Sequence, residues 1–327
     1  MQNLLDPSVL FFIFGVLAGA LKSNLEIPSA ISRFLSLYLL MALGLKGGFA
    51  LSHSGLTREV GISLVCAIAL ALTIPLIGYS VLKHFISKFD AAAVAATYGS
   101  VSAVTFVTTV QYLETHQIAY GGHMAAAMAL MESPAIIWAV VFANTLRQKN
   151  QTRPHPGGQH STAPIHIGKV LHESFTDGAQ LLLLGSMVIG LLTGDAGKVA
   201  MQPFSGDLFK GMLSFFLLDM GLMAARNLSQ VKGTSPALMG YAVLGPIAHA
   251  SLALALAWLF HLSPGNGALL MVLAASASYI AVPAVLRYAL PEANPSLYFG
   301  LSLGITFPLN ILLGIPIYVG VAQTWLT

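Results

Sequence analysis

Apolar residues along this chain come in continuous runs of about twenty, and the breaks between them fall at charges, prolines, glycines and asparagines. Breaking the chain there gives ten candidate spans. The first five are about Pro7 to Leu21, Ile31 to Phe49, Val60 to Leu82, Ala91 to Tyr112 and Tyr120 to Leu146. A polar stretch, Arg147 to Asp177, is rich in Pro, Gly, His and Gln and carries no apolar periodicity. The second five are about Gly178 to Thr193, Leu208 to Ala225, Pro236 to Leu262, Gly267 to Leu290 and Ser296 to Trp325. Barrel strands would alternate polar and apolar positions, and these runs do not, so the pattern predicts an all-α polytopic membrane protein. The expected organisation is a first five-helix unit (1–146), a linker (147–177) and a second five-helix unit (178–327).

The two halves echo one another. Thr97 to Thr109 reads TYGSVSAVTFVTT; 176 positions on, Leu273 to Val285 reads LAASASYIAVPAV, with Ser100 over Ser276, Ser102 over Ser278 and, beyond, Tyr112 over Tyr288. Each half opens with a short span, each second span carries a matching glycine (Gly44, Gly221), and each fifth span carries a proline (Pro134, Pro308). Five spans is an odd number, so the second copy must enter the bilayer from the opposite side. The pattern predicts a 5+5 inverted repeat with discontinuous fourth and ninth helices, an architecture that places substrate at the repeat interface.

Composition agrees with a membrane protein and narrows its class: 56% of the 327 residues are hydrophobic and 8% charged, against about 25% charged in soluble domains. No basic patch interleaved with aromatics points to nucleic acid. No Lys or Arg precedes the first apolar run, which reads as a retained span and not a cleaved signal peptide. Of the 15 Lys and Arg, eleven fall on the side of the central linker and four (Lys46, Arg58, Lys198, Lys210) on the other, which predicts a cytoplasmic linker with both termini outside. Cys66 is the single cysteine, so no intrachain disulfide is possible.

The paired hydroxyl-rich stretches carry the chemistry. If each helix breaks there, the following half begins with unpaired N–H groups and about half a positive charge, with Ser a preferred cap. Two such ends, from Gly99, Ser100, Ser102 and Thr105 in one half and Ala275, Ser276 and Ser278 in the other, would suit a small anion. Serines that merely permit close packing or bond back to the preceding turn are the plainer alternative; repetition at equivalent positions favours the site.

Two acids, Glu132 and Asp219, lie inside apolar runs, where ionisable groups are costly and usually functional. Pro134 and Pro308 should free the carbonyls of Leu130 and Gly304. Oxygens from Glu132, Ser133, Asp219, Thr306 and Asn310 would form a hard set suited to sodium. Lys46 is expected to snorkel to the surface. The four linker histidines, His155, His160, His166 and His172, lie at intervals of five and six residues that match no standard metal pattern. A membrane hydrolase built on Ser102 and His249 is disfavoured, because no Gly-x-Ser-x-Gly surrounds the serines, and no Walker loop is present. The residues therefore point to gradient-driven or passive transport without an organic cofactor. A bile-acid type organic-anion symporter, a cation/proton exchanger using the two acids, and a sensor acting through the linker are the competing readings.

Ser8 to Gly48, SVLFFIFGVLAGALKSNLEIPSAISRFLSLYLLMALGLKGG, together with ATYGSVSAVTFVTT and the ESPAI of span five, resembles the sodium-dependent bicarbonate transporters of the cyanobacterial carbon-concentrating mechanism. The similarity runs through both halves, the linker excepted. It implies core and gate domains, co-transport of sodium and bicarbonate across the inner (plasma) membrane, a homotrimer, and substrate at the broken spans. In that family a PII-like protein docks on the cytoplasmic face, and the short His-rich linker here departs from the expected one.

Overall fold

The computed structural model describes residues 5–55, 57–151, 178–228 and 234–326; the four linker histidines lie outside them. Described residues form helices and connecting turns, with no strand among them. In order these are α1 (Pro7–Ala20), α2 (Ser29–Ser54), α3 (Arg58–Leu82), α4 (Lys88–Gly99), α5 (Ala103–Thr115) and α6 (Met124–Gln151). The second half holds α7 (Gly178–Met201), a π turn at Gln202–Asp207, α8 (Phe209–Leu228), α9 (Pro236–Leu259), α10 (Pro264–Ala275), α11 (Ala281–Ala289) and a last helical run, α12 (Pro295–Trp325). Among the described residues seven stretches are long and apolar enough to cross a bilayer; Pro7–Ala20 and Pro264–Ala275 are shorter apolar helices. Each of the ten expected spans falls on helix.

Local sequence sets the ends. Asp6 accepts from the Ser8 N–H at 2.8 Å with Pro7 in the first turn of α1, and Ser87 and Ser235 cap α4 and α9 in the same way. Gly194 adopts φ +52, a conformation open to glycine at little cost, and breaks α7 one residue past the expected end at Thr193.

Small residues decide which helices pair. A Cβ added at Gly15 of α1 would lie 2.3 Å from the Leu218 carbonyl oxygen of α8, and one at Gly221 would lie 2.3 Å from that of Phe12. A Cβ at Gly48 of α2 would meet the Met187 carbonyl oxygen of α7 at 2.1 Å, and one at Gly190 that of Leu45 at 2.6 Å. The first helix of each half thus packs on the second helix of the other, backbone against backbone, as helices in lipid associate through small residues. The remaining helices pack against these pairs through one continuous apolar core. The broken span Lys88–Thr115 lies within the bundle, 94% buried over its apolar window, whereas Pro236–Leu259 is 39% buried and turns much of its surface outward.

Several expectations shift. The loose linker was expected from Arg147, but α6 continues to Gln151. Arg147 donates through Nε and one Nη to the two carboxylate oxygens of Glu292, each at 2.8 Å, and to the Ala289 carbonyl at 3.0 Å, which ties α6 to the turn after α11. Lys46 does not simply snorkel: it pairs with Glu114 at 2.9 Å with its ammonium 4.0 Å from the centre of the Phe209 ring. Helix α6 runs through Pro134 without a break. Pro308 instead sits between two π segments, Gly300–Thr306 and Asn310–Gly314, whose wider turns accommodate the missing donor.

Candidate functional site

Both hydroxyl-rich stretches interrupt their helices. Helix α4 ends at Gly99, whose added Cβ would lie 2.0 Å from Pro75 Cγ of α3, so only glycine permits that approach. Ser100 and Ser102 are extended, and α5 resumes at Ala103. In the other half α10 ends at Ala275, Ser276 is extended, and α11 resumes at Ala281. The breaks brace each other: the Ser278 N–H donates to the Thr97 carbonyl at 2.9 Å, and the Ser102 N–H to Ser276 Oγ at 3.0 Å. Orphan backbone groups of one interruption are thereby satisfied by the other, as the bilayer interior demands.

The hydroxyls divide into two kinds. Ser276 Oγ donates to the Leu273 carbonyl at 2.9 Å while accepting from Ser102, so it serves as a brace. Ser102 Oγ accepts from the Thr105 N–H at 3.2 Å and the Thr105 hydroxyl at 3.0 Å. With two donors on that oxygen, its own proton remains available to an acceptor. Ser278 Oγ accepts from Val282 N–H at 3.3 Å. Ser100 Oγ is buried and has no partner among the described residues.

A cavity of about 270 Å³ lies against both resumed helices: Ser102, Ala103 and Val104 line it from α5, and Ser278, Tyr279 and Ile280 from the approach to α11. The first N–H groups of a helix have no intrahelical partner, so those of Ala103 and Val104 give this wall donors and positive potential. Glu132 of α6 lines the same cavity and accepts from Gln180 Nε2 of α7 at 2.5 Å.

Other expected ligands lie elsewhere. Asp219 is buried on α8, accepts from the Ser32 hydroxyl, and faces a separate basin. Thr306 is committed, bonded to the Tyr98 hydroxyl at 2.6 Å and donating to the Ala242 carbonyl at 2.8 Å. Asn310 Nδ2 donates to the Ala275 carbonyl at 2.8 Å beside the second break, and its buried Oδ1, like Ser133 Oγ, has no partner among the described residues. No cluster of three or more His, Cys, Asp or Glu occurs among the described residues. Sequence reasoning passed over Gln180 and Tyr279. Gln180 was detectable as the lone polar residue opening an apolar span; Tyr279 follows Ser278 directly, but only its place on the cavity wall distinguishes it from core.

Crossed helix interruptions, a solute-sized cavity at their meeting point and many apolar helices define a multi-pass membrane transporter. The chain belongs to the Na+-dependent bicarbonate transporter superfamily, whose family description matches residues 7–323. It is therefore a transporter and not an enzyme, and sodium-dependent transport is the activity of its family. Comparison with curated proteins gives no match.

Proposed function

We propose that the protein couples inward sodium movement to bicarbonate uptake by alternating access, holding the anion where the two interrupted helices meet. The observation that carries this reading is the shared wall: Ser102, Ser278 and the start of α5 line one cavity with Glu132. Donors at the helix start and the Ser102 and Ser278 hydroxyls take the anion, with the unpartnered Ser100 hydroxyl a further donor to it, while Gly99, Thr105, Ala275 and Ser276 hold the breaks in shape. A carboxylate and a bound anion in one small cavity repel, and at an effective dielectric of about 20 two charges 4 Å apart interact by about 4 kcal/mol. A sodium ion beside Glu132 removes that repulsion, so each solute favours the other. Ser133, Asp219, Thr306 and Asn310 are the further oxygens proposed for cations; Thr306 is the weakest of them because its hydroxyl is already engaged.

The reciprocal pairing of α1 with α8 and α2 with α7 supports an inverted repeat, because an approximate twofold axis in the membrane plane exchanges the two pairs. On this reading these four helices form the gate and the rest the core, with Gln180 and Glu132 bonded across the boundary. The Lys and Arg distribution supports an inner (plasma) membrane protein with the linker in the cytoplasm and both termini outside. Homotrimer formation and a PII-like cytoplasmic partner come from the resemblance alone. The cavity volume favours a small anion: about 270 Å³ falls below the roughly 300–1,000 Å³ of sites for drug-sized ligands, which weighs against a bile-acid type substrate. Reconstituted protein should accumulate labelled bicarbonate only with an inward sodium gradient; uptake indifferent to sodium would overturn the proposal. Sodium-driven proton movement without bicarbonate would instead mark a cation/proton exchanger.

A further inference from the structure

A vestibule of about 410 Å³ lies at the end of the bundle where α1 begins and α5 ends, with Asp6, Ser8, Thr108, Gln111, Leu213 and Ile311 in its lining. The cavity at the helix interruptions lies toward the opposite end. Ala179 and Gln180, at the linker end of α7, line it, and it adjoins the Asp219 basin along Ser36, Tyr279 and Ile280. The two spaces come close to each other. On α5, Val104 lines the inner cavity and Thr108 the vestibule; on α8, Phe216 lines the basin and Leu213 the vestibule. At a rise of about 1.5 Å per residue those spacings leave about 5 Å, one helical turn, between the spaces.

An aromatic layer fills that turn. Phe307 stands on α12 midway between Leu303, which lines the basin, and Ile311, which lines the vestibule. Its ring meets Phe12 of α1 edge-on, with centroids 5.5 Å apart, and Tyr279 with centroids 5.2 Å apart. The Tyr279 hydroxyl donates to Met220 Sδ of α8 at 3.8 Å, and each of these four residues is exposed by 5% or less. Phe12 and Met220 come from the α1–α8 pair, Phe307 and Tyr279 from helices packed against it, so the layer is completed across that contact. Rings offer an ion nothing in exchange for its water shell, and an apolar constriction of this kind stops ions even with polar space on both sides. We infer that Phe307, held between Phe12 and Tyr279, is the seal between the vestibule and the inner cavity and enforces coupling: without its ring, small anions cross with no cation gradient. Enforcement of coupling rests on the transport function proposed above; the seal itself does not.

The test uses purified full-length protein in liposomes loaded with potassium chloride, without sodium or bicarbonate and with valinomycin to balance charge. Wild type should retain chloride as empty liposomes do. Phe307→Ala should release it at least about tenfold faster, and Phe307→Met, which refills most of the space with an apolar chain, should return release to within about threefold of wild type. Chloride retention by a monodisperse Phe307→Ala protein would overturn the inference, as would equal release by the Ala and Met variants, the mark of general loosening. If Phe307→Ala does not fold, thiol labelling decides. The native Cys66 is buried, so a membrane-impermeant maleimide reports on Gln111→Cys in the vestibule and Ser36→Cys in the inner cavity, in sealed vesicles of each orientation. Labelling of the two from opposite faces supports the seal, and any other pattern overturns it. No arm contains bicarbonate, so failure of the uptake assay and failure of the seal are separate results.

Discussion

Replacing Ser102 separates its two roles, because the hydroxyl both caps α5 and, on the proposed reading, donates to the anion. As a cap it accepts from the Thr105 N–H at 3.2 Å. Alanine at an N-cap costs about 1 kcal/mol and glycine only a few tenths, so Ser102→Ala should lower stability measurably and Ser102→Gly barely. As a donor, a hydrogen bond to a charged group contributes about 1.5–3 kcal/mol, which is roughly a ten- to hundredfold change in affinity. Both variants should therefore raise the KM for bicarbonate by at least about tenfold, whatever their stability. The assay is initial-rate uptake of labelled bicarbonate into proteoliposomes under a fixed sodium gradient, with thermal unfolding followed in parallel. If Ser102→Gly transports within about twofold of wild type, the hydroxyl is a cap alone and the anion site must be rebuilt without it.

Four further outcomes are expected. The double variant Ser102→Ala with Ser278→Ala should lose uptake yet remain folded, since Ser276, the brace, is left in place; an unfolded protein on size-exclusion would show the pair to be structural. Glu132→Gln keeps a partner for Gln180 but removes the carboxylate, so the half-saturating sodium concentration should rise about tenfold or more, and an unchanged sodium curve would remove Glu132 from coupling. Gly48→Ala forces a Cβ to within 2.1 Å of the Met187 carbonyl and should destabilise the α2–α7 contact by about 1–3 kcal/mol, read as a lower melting temperature; no change would mean that these helices separate easily. The Arg147 hydrogen bonds hold the Glu292 carboxyl below the usual carboxylate range. A depressed folded value means that this contribution is present above the ordinary carboxylate range and lost as the pH falls through the folded value, so Arg147→Ala should flatten the acid limb of the stability profile.

The helix interruptions could be read from residues 97–109 and 273–285 because a run of Gly, Ser and Ala with Pro283 nearby offers a helix little side-chain packing and ready caps. Span ends were similarly legible, since Asp6, Pro7 and Gly194 act on the backbone within a turn of their own position. The glycines at 44 and 221 were legible as a matching pair, yet their partners could not be read: close approach of α2 to α7 and of α1 to α8 depends on what stands opposite, and a sequence gives only one side of a contact.

The same limit governed the site. Type and spacing singled out Ser102, Ser276, Ser278, Glu132 and Asp219 from the chain alone, because polar groups in an apolar span must be satisfied or must function. Their allocation belongs to tertiary structure. Ser276 accepts from Ser102 across the two breaks, Ser102, Ser278 and Glu132 line one cavity, and Asp219 lines another basin with three arginines. Arg147, taken from composition as the start of a loose linker, is fixed by Glu292, 145 residues away. Local chemistry is written along the chain and acts over a few residues. Which orphan donor meets which acceptor is decided only when segments 174 or 187 residues apart come into contact, as Ser102 does with Ser276 and Ser32 with Asp219.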